Sequence, residues 1–286
     1  MAFSRKFINV TIKLQNGGLN GGVNKATIKD HRVGVAIEQN GSPDAGKATC
    51  SIYGLPLTTM NQLTQLPYMS EAVGNNSILI EAGGDDGVAK KAFAGTIFAA
   101  FADIHAPIAA LRIDAMAGLY NAIAPAKPMT AQGSQDVAQL LGQIAKQGQL
   151  TLENNGVSCQ IRDQYLPGSN RQQIKRLAEA AGINWLIEND TLAIWPKNGS
   201  RNSGPSGTPT ISKKTGMVGY PRYTASGIEV VTLWNPNLIY GGSVKVESDL
   251  TPACGTWYIV NIAHELECET PNGKWFTILS CSRLQV

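Results

Sequence analysis

Charged residues are scarce in this sequence. Asp, Glu, Lys and Arg make up 16% of its 286 residues, against about a quarter in an average soluble domain. The 24 basic and 21 acidic residues leave a net charge of only +3, which lacks the strongly basic footprint of a dedicated nucleic-acid binder. We therefore expect no sequence-specific nucleic-acid partner. A surface with so few charges fits a subunit that other subunits cover.

Long apolar runs are also missing. The longest candidate, residues 92–102, is interrupted by Gly95 and ends at Asp103, short of the roughly 18 apolar residues that indicate a bilayer-spanning helix. The N-terminus is basic but has no apolar run before Lys13, so it does not have the pattern of a signal peptide. The sequence predicts no membrane partner and production in a cytoplasm.

Cysteine and histidine are too few and too scattered to form an evident site. The five cysteines are Cys50, Cys159, Cys254, Cys268 and Cys281. Their odd number and wide spacing favour reduced, buried thiols over a disulfide framework or a zinc site. His31, His105 and His264 lie far apart, and a metal or acid–base role for any of them needs a ligand from elsewhere in the fold. Neither residue type therefore indicates a metal site or an acid–base site by its spacing alone.

Glycine, by contrast, is abundant, with 30 residues, and it separates short stretches of alternating apolar and polar residues. Such alternation predicts half-buried β-strands joined by turns. In the first 125 residues the predicted strands are 7–14, 31–39, 47–53, 77–82, 92–104 and 110–117, with a turn at 16–18. One short helix is predicted at 58–66, capped by Thr58 or Thr59 and stopped by Pro67. The pattern predicts an antiparallel β-barrel over residues 1–125.

The middle of the chain contains an internal repeat, after a Pro-rich linker at 124–133. A helix starting at Ser134 and ending at Gly148 is followed by a predicted hairpin, 150–153 and 157–161. About 34 residues later a helix capped by Ser169 or Asn170 and closed by Gly182 precedes a second hairpin, 183–188 and 191–195. Two such units predict a small α+β domain over residues 126–197.

A second region of strand-like alternation follows a linker. Residues 196–209 are dominated by Gly, Ser, Pro and Asn and have no apolar anchor, so we expect an exposed, extended connection. We place the linker at 198–213 and a C-terminal β-barrel at 214–286. The predicted fold is mainly β: two antiparallel β-barrels with an α+β insertion.

The last quarter of the chain also resembles a known family. The motifs are Gly216-Met-Val-Gly-Tyr-Pro221, a strand ending in Trp234-Asn235-Pro236, Gly241-Gly242-Ser-Val-Lys-Val-Glu247, Tyr258-x-Val260 with His264, and Gly273-Lys-Trp-Phe-Thr277. Together they resemble the C-terminal region of baseplate hub proteins from contractile-tailed bacteriophages. The rest of the chain is similar to that family in layout.

This resemblance implies a structural function with no catalytic residue, no metal and no cofactor, in a protein that is not an enzyme. It implies two barrels like those of tail tubes, and a homotrimeric ring that adapts the six-fold tail tube to the three-fold spike and leaves a central lumen. The implied partners are further copies of the chain, the tail spike protein, the tube or tube-initiator protein, the tape-measure protein and the surrounding baseplate wedge proteins. The implied location is the virion tail baseplate, assembled in the host cytoplasm.

Large side chains in two C-terminal loops are the candidate interface. We expect apolar and aromatic loops at barrel ends to be covered by a partner, because they are too rich in large side chains to remain in water. The candidates are Met217, Tyr220, Pro221, Trp234, Asn235, Pro236, Leu238 and Tyr240. The competing interpretation is that these side chains fill the core of the C-terminal barrel.

Other chemistries remain open at this point. Asp85 and Asp86 can bind a cation or form a polar turn. Trp185 and Trp195 can stack on sugars, as in a cell-wall (peptidoglycan) binding or degrading tail protein, or fill a core. A basic patch at Arg171, Lys175 and Arg176 and a row of carboxylates at Glu265, Glu267 and Glu269 are both typical of solvated faces. A secretion-system or tailocin component is a further alternative, since such particles share the hub architecture.

Overall fold

A computed structural model of the chain describes residues 5–15, 24–41, 44–64, 76–84, 86–105, 108–201 and 207–283. The strands are β1 (Phe7–Lys13), β2 (Lys25–Ile28), β3 (Val33–Gln39), β4 (Lys47–Tyr53), β5 (Ser77–Gly83), β6 (Lys90–His105), β7 (Ile108–Met116), β8 (Met129–Asp136), β9 (Thr151–Asn154), β10 (Gln160–Leu166), β11 (Ile183–Glu188), β12 (Thr191–Pro196), β13 (Thr210–Ile211), β14 (Arg222–Thr224), β15 (Gly227–Leu233), β16 (Ser243–Val246), β17 (Gly255–Cys268) and β18 (Trp275–Ser282). The helices are α1 (Leu57–Leu63), α2 (Leu119–Ile123), α3 (Val137–Gln147) and α4 (Asn170–Ala181). The mainly β class predicted from the sequence is confirmed. None of the described helices has the length and apolar character that a bilayer crossing requires.

The chain divides into two compact units. The first comprises residues 1–38, 47–117 and 263–277, and the second comprises 39–46, 118–262 and 278–286. The first unit is therefore discontinuous in sequence, because it includes the ends of β17 and β18. The predicted four-part division of the chain, and its two barrels, stay predictions.

The first unit is built on a sheet in the order β17-β3-β4-β7-β6-β5-β1-β2. The pairs from β3 to β2 are antiparallel. Alternate side chains are buried as the period-two pattern predicts: Ile8, Val10 and Ile12 on β1, Val33, Val35 and Ile37 on β3, and Ala48, Cys50 and Ile52 on β4. Both helix boundaries were wrong. Helix α1 follows Pro56 and has no side-chain cap from Thr58 or Thr59. It ends at Leu63, three residues before the predicted end at Leu66, because Thr64 is already extended.

Two turns of this region were also predicted from the sequence. The turn at 16–18 lies outside the described residues, as does Pro67. So does Asp85, but its neighbour Asp86 accepts a hydrogen bond from the backbone N–H of Val88 at 3.2 Å. This short-range contact is the one expected of a polar turn.

The second unit contains the middle module, which we define as residues 129–196. Helices α3 and α4 pack their apolar faces together with residues of β11 and β12, and the core includes Leu141, Ile144, Ile174 and Leu177. Ser169 caps α4 as predicted, in a capping box with Gln172. Gly182 closes α4 in the left-handed conformation, and β11 and β12 form the predicted antiparallel hairpin.

The first copy of the repeat departs from prediction in its strand pairing. Strands β9 and β10 do not form a hairpin: β9 pairs in parallel with β12, and β10 pairs in antiparallel fashion with β8. The side chain of Asn154 holds Val157 through two hydrogen bonds, Nδ2 to the carbonyl at 3.0 Å and Oδ1 from the N–H at 2.8 Å. This local turn takes the chain out of the sheet, so the Asn-Asn-Gly sequence is not a hairpin turn here.

The start of α3 was also predicted wrongly, whereas its end at Gly148 was predicted correctly. Strand β8 occupies half of the linker predicted at 124–133 and includes Ser134, because Ser134 pairs with Arg162 of β10. The helix is capped instead by Asp136, whose carboxylate accepts from the N–H of Gln139 at 3.0 Å. Gly148 ends the helix with a negative φ of −85°. A side chain at Gly148 would collide with Asn121, so close approach explains this glycine.

The C-terminal strands of the second unit surround their own core. Ile228 and Val230 of β15, Val244 and Val246 of β16, and Trp257 of β17 belong to it. Along β17 the buried face shifts: Trp257 and Ile259 are buried, Val260 and Asn261 are both half-buried, and burial resumes at Ile262 and His264. A one-residue shift moves every later side chain to the opposite face of a strand, so the buried side of β17 changes between Ile259 and Ile262.

The linker prediction fails at one residue. Among the described residues of 196–209, Arg201 is buried, with 5% of its surface exposed. Its guanidinium contacts the carboxylates of Glu153 and Glu188. The connection is thus anchored by a charged residue rather than by an apolar one.

Candidate interaction surface

A stripe of apolar side chains lies on the outer face of β15. Ile228, Val230 and Thr232 are buried, and because side chains alternate along a strand, Val231 and Leu233 lie on the other face. Leu233 is 45% exposed. We call Val218, Val231 and Leu233 the outer stripe, since Val218 pairs opposite Val231 in the same sheet.

Backbone hydrogen bonds fix Val218 in that position. Its N–H donates to the carbonyl of Val231 at 2.8 Å, and the N–H of Leu233 donates to the carbonyl of Gly216 at 2.9 Å. Between these two hydrogen bonds, Met217 lies opposite Thr232 in an isolated antiparallel β-bridge. Residues opposite one another in an antiparallel pair share a face, so Val218 joins Val231 and Leu233 on the outer side.

Two exposed tyrosines lie near the outer stripe in sequence. Tyr220 is 68% exposed and Tyr223 is also exposed. Tyr223 belongs to β14, which ends the order of strands in this sheet, and because it is paired with Ile228 its side chain lies on the opposite face from the outer stripe. Next to it, Arg222 and Glu229 form an exposed ion pair of 2.7 Å. Large aromatic and apolar groups flanked by charges are typical of interfaces between proteins.

A cleft of about 630 Å³ opens at the segment that contains Met217, Gly219 and Tyr220. Its lining comprises Ser212, Lys213, Lys214, Met217, Gly219, Tyr220, Glu247, Ser248 and Asp249. The two lysines belong to one segment and the two carboxylates to another, and Glu247 is bound by Lys245 at 2.8 Å. The cleft therefore offers both signs of charge around an apolar and aromatic wall.

Of the eight candidate interface residues, two line the cleft and the other six do not. Met217 and Tyr220 line the cleft, whereas Pro221 is buried. In the second loop Trp234, Asn235 and Pro236 are half-buried. Leu238 is part of the apolar core. Tyr240 packs edge-on against Trp195, with ring centroids 6.3 Å apart. Their role at an interface stays a prediction.

Sequence reasoning missed two exposed members of this surface, Val218 and Leu233, and the exposed Tyr223 on the neighbouring strand. A signal for Leu233 was present, because strict alternation with Ile228, Val230 and Thr232 puts it on the outer face. Nothing comparable marked Tyr223.

The other candidate sites have structural roles. Trp185 and Trp195 are buried, so neither offers a ring face for sugar stacking. On α4, Lys175 pairs with Glu179 at 3.8 Å, and Arg176 donates to the carbonyl of Pro167 at 3.3 Å. These contacts are those of a solvated helix face.

Histidines and cysteines show no shared site among the described residues. His31 contacts the carbonyl of Tyr53 at 3.1 Å, and the exposed His105 contacts Asp103 at 2.7 Å. The Nδ1 of buried His264 lies 2.9 Å from the hydroxyl of Thr277. Burial lowers the pKa of His264 to about 4 and raises the pKa of Cys281 to about 12. His264 is therefore a neutral core residue at neutral pH.

Several solved structures share the fold. The chain is similar to the tail protein from Neisseria meningitidis MC58, with a TM-score of 0.60 and 11% identity over 96% of both chains. It is similar to the prophage MuSo2 43 kDa tail protein from Shewanella oneidensis, with a TM-score of 0.61 and 9% identity over 96% of both chains. It is also similar to the E. coli c3393 protein, a type VI secretion system component with structural similarity to T4 tail proteins gp27 and gp5 (TM-score 0.58, 13% identity, 95% of this chain and 76% of that chain).

At these identities the likeness concerns the fold alone. No protein of curated function matches the chain by sequence. The family model described as baseplate hub gp41, however, matches residues 7–278. Because this match spans nearly the whole chain, the protein belongs to the baseplate hub gp41 family, a family of structural proteins of the phage tail.

Proposed function

We propose that three copies of the chain form a ring at the centre of the baseplate. The observation that carries this proposal is the family match over residues 7–278. The ring adapts the six-fold tail tube to the three-fold spike and leaves a central lumen. Its function is geometric, and no reaction is part of it.

Symmetry matching explains how one chain can serve both neighbours. If each chain contributes two tube-like barrels, three chains present six barrels to the tube and three equivalent surfaces to the spike. The proposed partners are the spike protein, the tube or tube-initiator protein, the tape-measure protein and the wedge proteins. The ring assembles in the host cytoplasm and is then part of the virion tail baseplate.

The low charge of the chain suits the proposed lumen. Each Lys or Arg that contacts a phosphate strengthens DNA binding, so a densely basic lumen would retard the passage of the genome. The chain has a net charge of only +3.

The outer stripe and Tyr220 are the proposed contact with a second copy. Exposed apolar groups gain free energy when they leave water, and aromatic residues are enriched at the centres of interfaces. The lysines and carboxylates that line the neighbouring cleft can pair with opposite charges on an identical chain, which carries both signs.

The mass of the purified full chain in solution tests the ring. We expect a species of three times 30.4 kDa by native mass spectrometry or light scattering, either alone or after addition of the spike protein encoded nearby. A monomer in both conditions would overturn the proposal.

Replacing Tyr220 by aspartate is expected to weaken trimer formation by roughly tenfold or more, because tyrosines at interfaces often contribute over 1 kcal/mol. Tyr165→Asp is the matched control, since Tyr165 is 65% exposed on β10 of the middle module. Dissociation constants from concentration-dependent mass measurements would compare the two variants. Equal trimer formation by both would exclude Tyr220 from the interface.

A further inference from the structure

We propose that Arg201 is an ionic latch that fixes the middle module to the loop formed by residues 234–242. The latch is independent of the proposed trimer, because all of its groups belong to one chain. It makes the segment from β12 to Arg201 a fixed joint rather than a free tether.

Arg201 binds the middle module through two carboxylates from different strands. Its Nε and one terminal nitrogen donate to the two oxygens of Glu153 on β9, at 3.1 and 3.0 Å. The other terminal nitrogen donates to Glu188 on β11 at 2.8 Å. A bidentate arginine–carboxylate pair fixes direction as well as distance.

The same residue binds the 234–242 loop through backbone groups. Its guanidinium donates to the carbonyl of Tyr240 at 3.2 Å, and its N–H donates to the carbonyl of Gly241 at 2.8 Å. A single residue thus holds the module on one side and the loop on the other.

An apolar contact lies directly beside the latch. Trp195 packs against Tyr240 and lies 6.0 Å from the guanidinium of Arg201. A side chain at Gly241 would enter the ring of Trp195, so the loop approaches the module as closely as a glycine allows. This small contact, with Arg201 in its centre, is where the loop and the module meet.

Burial gives the latch its strength. Glu153 is half-buried and would have a raised pKa from burial alone, but hydrogen bonds and charge attraction from Arg201, with the amide of Asn155, hold its pKa below the usual range. Because the Arg201 side chain is only 5% exposed, breaking its pairs with Glu153 and Glu188 costs more than losing a fully exposed pair. Loss of Arg201 should therefore open the joint.

Hydrogen exchange of the full chain tests the latch at single amides. In Arg201→Met, we expect the amide of residue 201 to exchange roughly 100-fold faster or more, while the amides of Leu177 in α4 and Val230 in β15 keep their rates. A merely structural loss of stability would instead accelerate all three. Equal acceleration at all three amides, or none at residue 201, would overturn the proposal.

Two further variants keep the test decisive. Arg222→Met removes an arginine whose ion pair is exposed, and it should leave the exchange rate of the amide of residue 201 unchanged.

If Arg201→Met does not fold, the double variant Glu153→Gln with Glu188→Gln removes the same ionic bonds while retaining arginine. It should accelerate exchange at residue 201 selectively, and unchanged exchange in a folded double variant would overturn the latch.

Discussion

Replacing Ile113 by alanine is expected to lower the free energy of unfolding by about 2–5 kcal/mol, the range found when large aliphatic side chains are truncated in packed cores. Ile113 lies on β7 with 1% of its surface exposed. It pairs with Cys50 of β4 on one side and with Ala100 of β6 on the other, and all three are buried. Because β7 is hydrogen-bonded to β4 and β6, it can move little. The cavity left by the missing side-chain atoms of Ile113 should therefore persist. Urea titration of both proteins would measure the loss.

The same strand provides a matched control. Ile108 is 54% exposed near the other end of β7, and Ile108→Ala should change the free energy of unfolding by no more than about 0.5 kcal/mol. Similar losses for the two variants would mean that the strand is not buried as described. A large loss of stability for Ile108→Ala alone would mean that the buried part of β7 lies near Ile108 and not near Ile113.

Acidification is expected to destabilise the protein through His264. An unfolded histidine has a pKa near 6.5, whereas burial lowers that of folded His264 to about 4. Between these values the unfolded chain takes up a proton that the folded chain does not, so stability falls as the pH is lowered from about 6.5 to 4. The total loss from this residue is on the order of 3 kcal/mol.

His264→Gln should remove this part of the pH dependence. Urea titrations at pH 4, 5, 6 and 7 would show a flatter profile for His264→Gln than for the wild type. His105→Gln, which removes an exposed histidine, controls for the loss of a histidine as such. Parallel profiles for His264→Gln and the wild type would show that His264 does not titrate with folding.

The strands were predictable because their side-chain alternation is local. Strand β4 was predicted at 47–53 and is found at Lys47–Tyr53, and its buried face is the one that the apolar residues marked. The choice of partner strand is different. Strand β9 pairs with a strand 40 residues later, and no feature of residues 150–161 alone distinguishes that arrangement from a hairpin.

The candidate surface was predictable only in part, for a related reason. Aromatic loops identified Tyr220, but the same criterion selected Leu238, which the core requires. Arg201 was missed because a Gly- and Ser-rich context gives no indication of carboxylates that lie 48 and 13 residues away. Composition describes how freely a segment can move, but tertiary partners decide whether it does.

The discontinuity of the first unit sets an order of events during synthesis. Strand β3 has β17 as a neighbour, and residues 263–277 complete the unit that residues 1–117 begin. At translation rates of roughly 5–20 residues per second, about 7–30 seconds separate residue 117 from residue 263. During that interval the backbone groups of β3 that later pair with β17 are unpaired and can form hydrogen bonds with another nascent chain. On a polysome, where several copies are synthesised close together, association between partly synthesised chains therefore competes with folding during this interval.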